Sequence, residues 1–271
     1  MTDERKQAMR QVFDSIAGDY DILPFTRLAV ERLIALAPIS PGARLLDVAT
    51  GTGLAAIAAA YRVGPGGTIL GVDISPGMLR HARQNAARSH LGTLTFVEGD
   101  AERLDLPDGT FDGVICASSL FLIPDMDAAV AEWRRVVKPG GFAAFTSFGP
   151  GLLEPLRAMW EAGTANLGLQ SSVPPMGLPD AASCKAILER HGFERVESHA
   201  EDQACPIESA DEWWRINMAG LSGLALRSLS DEARATFQRD HLAEVEAYAT
   251  ANPLQIEVPL NIAIGWKPSG T

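Results

Sequence analysis

The sequence predicts a doubly wound α/β fold, a mostly parallel sheet with helical insertions in the C-terminal half. Between Ala43 and Phe148, short apolar runs rich in β-branched residues alternate with longer stretches whose apolar residues recur every three to four positions. That is the pattern of buried parallel strands joined by crossover helices. The first apolar run leads straight into Gly51-Thr52-Gly53, and open α/β sheets bind ligands at the carboxyl end of a strand. With 271 residues, 46% of them hydrophobic and 21% charged, the chain has the composition of one large globular domain, which excludes disordered and collagen-like classes.

Taken in order, the strands are RLLDVA (44–49), GTILGVDI (67–74), LTFVEG (94–99), FDGVICA (111–117) and FAAFTSF (142–148). Between them, LAAIAAAYRV (54–63), PGMLRHARQNAARSH (76–90) and MDAAVAEWRRVV (126–137) read as helices. Ser75 before Pro76 is an N-cap and first helical residue, and Lys138-Pro139-Gly140-Gly141 stops a helix before the fifth strand. The alternation then breaks into a Gly-, Pro- and Met-containing segment (149–179), a helix from Asp180 to Arg190, and a strand through FERVESHA (193–200). Ser209 to Glu212 forms a capping box that opens a helix toward Leu226, and Ser230 starts another running to Thr250. IEVPLNIAIGW (256–266) closes the sheet, with Pro259 suited to an edge or an irregular start.

Lys and Arg number 23 against 34 Asp and Glu, a net charge of −11, so most of the surface repels polyanions and nucleic acid is not expected as a partner. Cys116, Cys184 and Cys205 are far apart and fall in no disulfide framework or Cys/His ligand pattern. No metal site is expected, and a reducing cytoplasm fits. The N-terminus opens on mixed charges, and no stretch approaches the ~20 apolar residues of a membrane span, so neither export nor an integral membrane segment is expected. Oligomeric state is not readable.

Three carboxylates share the predicted ligand edge of the sheet: Asp47 before the glycine turn, Asp73 at the end of the second strand and Asp100 after the third. Gly51 and Gly53 let backbone approach a ligand closely, and Gly51-x-Gly53-x-x-Ala56 also satisfies the relaxed dinucleotide fingerprint. Charge separates the two readings. S-adenosyl-L-methionine brings a sulfonium and an ammonium against one carboxylate, whereas Asp47 would repel a pyrophosphate. Asp73 suits both ribose hydroxyls in either case, and Asp100 with Ala101 places a carboxylate toward an adenine amino group. Turn and capping chemistry is the alternative reading of Asp47 and Asp100. Asp112, at the start of a strand, reads as a structural turn residue.

The order LLDVATGTG (45–53), GVDISPGML (71–79), VEGDAERLDLPDGTFDGVICASSL (97–120) and WRRVVKPGGFAAFTSF (133–148) resembles the class I S-adenosylmethionine-dependent methyltransferases over residues 12–148. VFDSIAGDYD (12–21) and DVATGTG (47–53) are similar to the ubiquinone/menaquinone biosynthesis C-methyltransferase group. The resemblance implies a Rossmann-like, seven-stranded sheet whose last strand is antiparallel. It also implies an N-terminal helical lid over 1–40 and a cofactor core over 41–148; substrate-covering insertions are expected at 149–180 and 208–250, and the helical segment 208–250 is not part of the basic family pattern. By position, Ala49, Thr50, Gly51 and Thr52, beside Gly53, would surround the methionine end, and Asp73 would hold the ribose. Ile74 and Met78 would pack on adenine, Asp100 and Ala101 would reach its edge, Cys116 and Ala117 would line the pocket through backbone groups, and Tyr20 would close over the methionine end. The chain departs from the quinone enzymes after the fourth strand, where their Arg-Asn pair is replaced by Ala117-Ser118-Ser119-Leu120. The Asn/Asp-Pro-Pro-aromatic motif of amino-methylating DNA enzymes is missing at the same place.

Methyl transfer from a sulfonium is an in-line displacement that needs alignment and exclusion of water, and a base only if the acceptor must lose a proton. Base candidates are Tyr20 and Asp21 near the donor, and His199 or His241 in the variable half; for each histidine the alternative is a solvated surface role. Leu120, Phe121 and Phe148, with Met159, Trp160 and Met176 and with Trp213, Trp214 and Met218 from the insertions, suit an apolar or aromatic small molecule or simply pack the insertions down. The sequence therefore predicts a C- or O-methyltransferase acting on such a metabolite. Two rivals remain. One is a nicotinamide-dependent reductase, which leaves Asp47 unexplained and has no evident Tyr-x-x-x-Lys pair. The other is a methyltransferase-like protein that binds the cofactor without methylating, as a rearrangement or cyclisation catalyst or a binding module.

Overall fold

The computed structural model describes residues 2–170 and 177–270. Its strands are β1 (Arg44–Val48), β2 (Thr68–Asp73), β3 (Leu94–Glu98), β4 (Phe111–Cys116), β5 (Val137–Phe148), β6 (Glu194–Pro206) and β7 (Gln255–Trp266). They form one sheet in the order β3-β2-β1-β4-β5-β7-β6. The first five are parallel, and β7 pairs antiparallel with both β5 and β6. This is the doubly wound, mostly parallel seven-stranded sheet that the sequence predicts.

Period-two burial assigns the faces. Leu45, Ile115, Ala144, Ile262 and Ile264 point to the side covered by α2 (Pro24–Leu36), α3 (Leu54–Val63) and α4 (Pro76–Ser89). Leu46, Val114, Cys116, Phe145 and Ala263 point to the other side, under α5 (Met126–Val136) and α7 (Ala181–Arg190). Ser75 caps α4 by accepting from the Met78 amide, as its place before Pro76 predicts. All strand ends that carry Asp47, Asp73 and Cys116 meet at one edge, because the crossover helices return each chain segment in the same direction.

Four elements differ from expectation. β5 begins at Val137, inside the predicted helix stop, because Phe111 pairs with Val137 before a register shift and Gly140 and Gly141 bond with Lys267. β6 runs six residues past Ala200, held in register along β7 as far as Pro206↔Gln255. The helix predicted toward Leu226 ends at Ala219 (α8, Ala210–Ala219), where Gly220 caps it and a 3-10 segment, Leu221–Ser228, follows. Segment 149–180 contains an unpredicted helix, α6 (Leu156–Asn166). Before the sheet lie α1 (Thr2–Ile16) and a 3-10 turn (Tyr20–Ile22), and α9 (Asp231–Ala249) precedes β7. None of the described helices is long and apolar enough to cross a membrane.

Candidate active site

The loop from β1 to α3 builds the centre of the site. Ala49 holds a left-handed φ of +53°, Gly51 +55° and Gly53 +83°, so the chain turns tightly and keeps its amides at the strand edge. A Cβ on Gly51 would point into open space, which leaves the loop face bare for a ligand.

Asp73, 8% exposed, ties this loop to the next helix: its Oδ2 accepts from the Gly51 amide at 2.8 Å and its Oδ1 from the Ser75 amide at 2.9 Å. Burial nevertheless raises its pKa against the pull of those amides. Asp47 is 1% exposed. Thr50 Oγ1 donates to its Oδ2 at 2.6 Å, while Oδ1 has no hydrogen-bond partner among the described residues. Burial pushes the Asp47 carboxyl up to about 7, with the Asp73 charge adding to the shift.

Two cavities lie against the loop. The first, with about 710 Å³ of empty volume, is lined by Tyr20, Asp73, Ile74 and Met78 and by Asp100 and Ala101. The second, about 390 Å³, is lined by Asp47, Ala49, Thr50, Gly51, Thr52 and Ala117, again with Tyr20. A third cavity, about 700 Å³, opens on the other side of Tyr20 between apolar walls that include Phe25, Phe121 and Phe148. Tyr20 is thus the common wall of all three. Burial first, then the charges of Asp73 and Asp21, push its hydroxyl up to about 12, so it stays a proton donor.

Not every predicted residue reaches a cavity. Gly53 serves as the left-handed N-cap of α3 and lines none of these three. Cys116 is fully buried beneath the loop, and burial pushes its thiol far up. His241 is 2% exposed and lines none of the three. Its Nε2 accepts from Trp213 Nε1 at 3.0 Å, and it stacks on Phe237 against Trp160. His199 sits on β6 paired with Ile262. Of the residues expected to face the acceptor, Phe121 and Phe148 line the third cavity; Leu120, Met159, Trp160, Trp213, Trp214 and Met218 do not, and Met176 falls outside the described residues. Asp112 accepts from the Arg44 amide and Lys138 at the opposite end of the strands, a structural role.

Other polar residues shape the site. Lys6 on α1 reaches Asp100 at 2.7 Å and Glu102 at 2.6 Å across the first cavity's rim. Asp14 accepts from Ser75 Oγ and the Gly77 amide, both at 2.7 Å. Asp21 accepts from Thr52 Oγ1 and from Asn85 Nδ2, holding the Tyr20 turn on the loop. Asn85 was detectable as a polar residue on the apolar stripe of α4, between Ala82 and Ala86. Lys6 lies on a strongly polar helix where nothing singles it out, whereas Asp14 falls in the segment VFDSIAGDYD (12–21) that carries the resemblance.

The sheet has this strand order and gathers Asp47, Asp73 and Asp100 at its carboxyl edge, and comparison with known proteins fixes the class. The family described as a methyltransferase domain matches residues 46–145. Nocamycin O-methyltransferase of Saccharothrix syringae is 31% identical over 283 residues, 96% of this chain and 99% of that protein. A ubiquinone/menaquinone biosynthesis C-methyltransferase of Marinomonas sp. is 30% identical over 221 residues, 72% of this chain and 86% of that protein. Phosphoethanolamine N-methyltransferase 2 of Haemonchus contortus, solved with S-adenosyl-L-methionine, shares the fold at a TM-score of 0.58 and 20% identity, over 94% of this chain and 57% of that one. The chain belongs to the S-adenosylmethionine-dependent methyltransferases, and its cofactor is S-adenosyl-L-methionine. The unpartnered Asp47 Oδ1 fits that cofactor's cationic end, and the bare face of Gly51 leaves room beside it.

Proposed function

We propose that the chain transfers a methyl group to oxygen or carbon of an apolar or aromatic small molecule. The observation that carries this reading is Tyr20, which borders both the two cavities that hold Asp47, Asp73 and Asp100 and a third that no carboxylate lines among the described residues. In this reading Asp47 Oδ1 pairs with the cofactor's ammonium. Asp73 keeps its two amides and accepts from the ribose hydroxyls through its remaining lone pairs. Ile74 and Met78 pack on adenine, and Asp100, already bridged to Lys6, sits at its edge. Bound S-adenosyl-L-methionine supplies an electrophilic methyl group on a sulfonium. Tyr20 and the α1 residues above it exclude water and align the acceptor, which is where most of the rate enhancement arises in such a displacement. His241 has no part in it as a base, since its Nε2 is occupied by Trp213.

Calorimetric titration with S-adenosyl-L-methionine, S-adenosylhomocysteine, NADH and NADPH tests the donor half. Binding of the two sulfur compounds alone is expected, and binding of a nicotinamide alone would overturn the reading. Labelled methyl donor incubated with panels of phenols, enols and aromatic acids then tests the acceptor half by transfer of label into an extractable product.

A further inference from the structure

The acceptor cavity holds hydrogen-bond donors and no base. Its polar side chains are those of Tyr20, Thr26, Ser118, Asn217 and Ser222, and no carboxylate, imidazole, amine or thiol lines it. Residues 171–176, outside the described part, carry no such group in their sequence. The carboxylates nearest to Tyr20 are engaged elsewhere: Asp21 with Thr52 and Asn85, Asp73 with Gly51 and Ser75, and Asp47 on the neighbouring cavity.

The polar groups are themselves oriented. Thr26 donates its hydroxyl proton to the Leu23 carbonyl at 2.8 Å. Asn217 donates one N–H to the Trp213 carbonyl at 2.9 Å, leaving the other. The Ser118 amide donates to Thr146 Oγ1 at 2.8 Å, and the two hydroxyls lie 3.2 Å apart. Thr146 is fully buried, and Ser118 Oγ is its only acceptor among the described residues. The Thr146 proton therefore goes to Ser118, and the Ser118 proton is free to donate. Ser118 holds a left-handed φ of +55° while 5% exposed, a conformation that persists for a side-chain-bearing residue only where its surroundings fix it. Ser118 lines both the acceptor cavity and the cavity beside Asp47.

We infer that the acceptor is an acid that arrives already ionised, an acidic enol or carboxylic acid on an apolar or aromatic frame, and that Ser118 holds its charged oxygen. The inference rests on the methyl-transfer reading. The oxygen lone pair forms the new bond to the methyl carbon as the carbon–sulfur bond breaks and its electron pair passes to sulfur. Negative and sulfonium charges cancel, and no proton has to leave. A plain alcohol or weakly acidic phenol would have to lose a proton to a base that this cavity lacks. An anion buried among aromatic rings needs paired donors, and Tyr20, Ser118 and Asn217 offer them.

The test is calorimetric titration of the S-adenosylhomocysteine-bound protein with 4-hydroxycoumarin, 2-naphthoic acid and 2-naphthol, three bicyclic probes of similar size and different acidity. The two acids are expected to bind at neutral pH, each losing affinity as pH falls through the probe's own pKa. The naphthol is expected to bind about ten-fold more weakly or worse. Ser118→Gly suits the left-handed φ and so retains the fold; with the variant saturated by S-adenosylhomocysteine, it is expected to cost about ten-fold in affinity for both acids and to leave the weak naphthol affinity where it was. Equal affinity for naphthol and acids, no binding of either acid, or unchanged acid affinity in Ser118→Gly overturns the inference. Failure of S-adenosylhomocysteine to bind would instead remove the methyl-transfer reading, and this inference with it.

Discussion

Asp47 serves two opposed requirements. A carboxylate that is 1% exposed, with one oxygen unpartnered, disfavours its charged form until a cation arrives. Binding a ligand ammonium there favours the ionised form, so affinity for S-adenosylhomocysteine should rise with pH toward the Asp47 pKa of about 7 and level off above it. Asp47→Asn should abolish that pH dependence and weaken binding by about ten-fold or more, read by calorimetry across the same range; an unchanged profile would exclude Asp47 from the site. Asp73→Ala removes the acceptor of two loop amides as well as the ribose contacts. At about 1.5–3 kcal/mol for each hydrogen bond to a charged group, affinity should fall by roughly a hundred-fold or more, and retained affinity would count against the ribose assignment. Both carboxylates were legible from sequence, because in a parallel sheet the strand ends share one edge and a motif at each end is necessarily near the others. Ser118 was not, since its role depends on Thr146, a partner 28 residues away on β5.

At the scale of elements, α1 is held over the first cavity by a few polar contacts. Lys6 bridges Asp100 and Glu102, Arg10 reaches Glu98 at 3.0 Å, and Asp14 caps the start of α4. The Arg10–Glu98 pair is exposed and contributes little, the Lys6 pairs are largely shielded from solvent, and the close approach of Asp14 to Gly77 adds a steric contact. A Cβ on Gly77 would meet Asp14 Oδ1 at 2.7 Å and its Cα at 3.0 Å, too close for the helices to stay in place. Gly77→Ala should therefore lift α1. Amide exchange over residues 3–16 should accelerate by about ten-fold, and S-adenosylhomocysteine should dissociate faster, with little change in melting temperature because α1 contributes only Ile16 to the buried apolar core. Unchanged exchange would mean that α4 gives way instead. The sequence showed that residues 1–40 are helical only through a resemblance, and the latch itself is tertiary. The aromatic residues of the insertions illustrate the same limit: Trp160, Trp213 and Trp214 were expected to face the substrate or pack the insertions down, and they pack with Phe237 and His241. Composition identifies an apolar side chain without saying whether a cavity or a neighbour receives it.

For the whole molecule, the alternation that predicts the parallel strands is strong because β1, β2, β4 and the second half of β5 are buried on both faces, whereas the edge strand β3 buries only Phe96. The β6–β7 hairpin was only partly legible, since β6 is an edge strand with polar residues such as Glu201, Asp202 and Gln203. The completed fold places two titratable groups in opposition. Asp47 has a folded pKa raised from 3.8 to about 7, so its contribution to stability is fully present below the unfolded value and is lost as pH rises through about 7. Burial of Asp73 acts in the same direction. His241 has a folded pKa lowered from 6.5 by burial among Trp160, Trp213 and Phe237, with Glu244 opposing the shift. Its contribution is present above 6.5 and is lost as pH falls below that value. Asp112, Asp127, Glu132 and Glu201, whose pKa values are lowered mainly by basic partners, lose stability at still lower pH. The ligand-free protein should accordingly be most stable in mildly acidic solution, and its melting temperature should decline from there through neutrality. Asp47→Asn should flatten the alkaline decline by raising stability above pH 7, although it weakens cofactor binding. Saturating S-adenosylhomocysteine should flatten it in the parent protein by giving Asp47 a cationic partner. A melting temperature that rises through neutrality in the ligand-free parent, or an Asp47→Asn profile parallel to it, would show that the buried carboxylate does not set this limb.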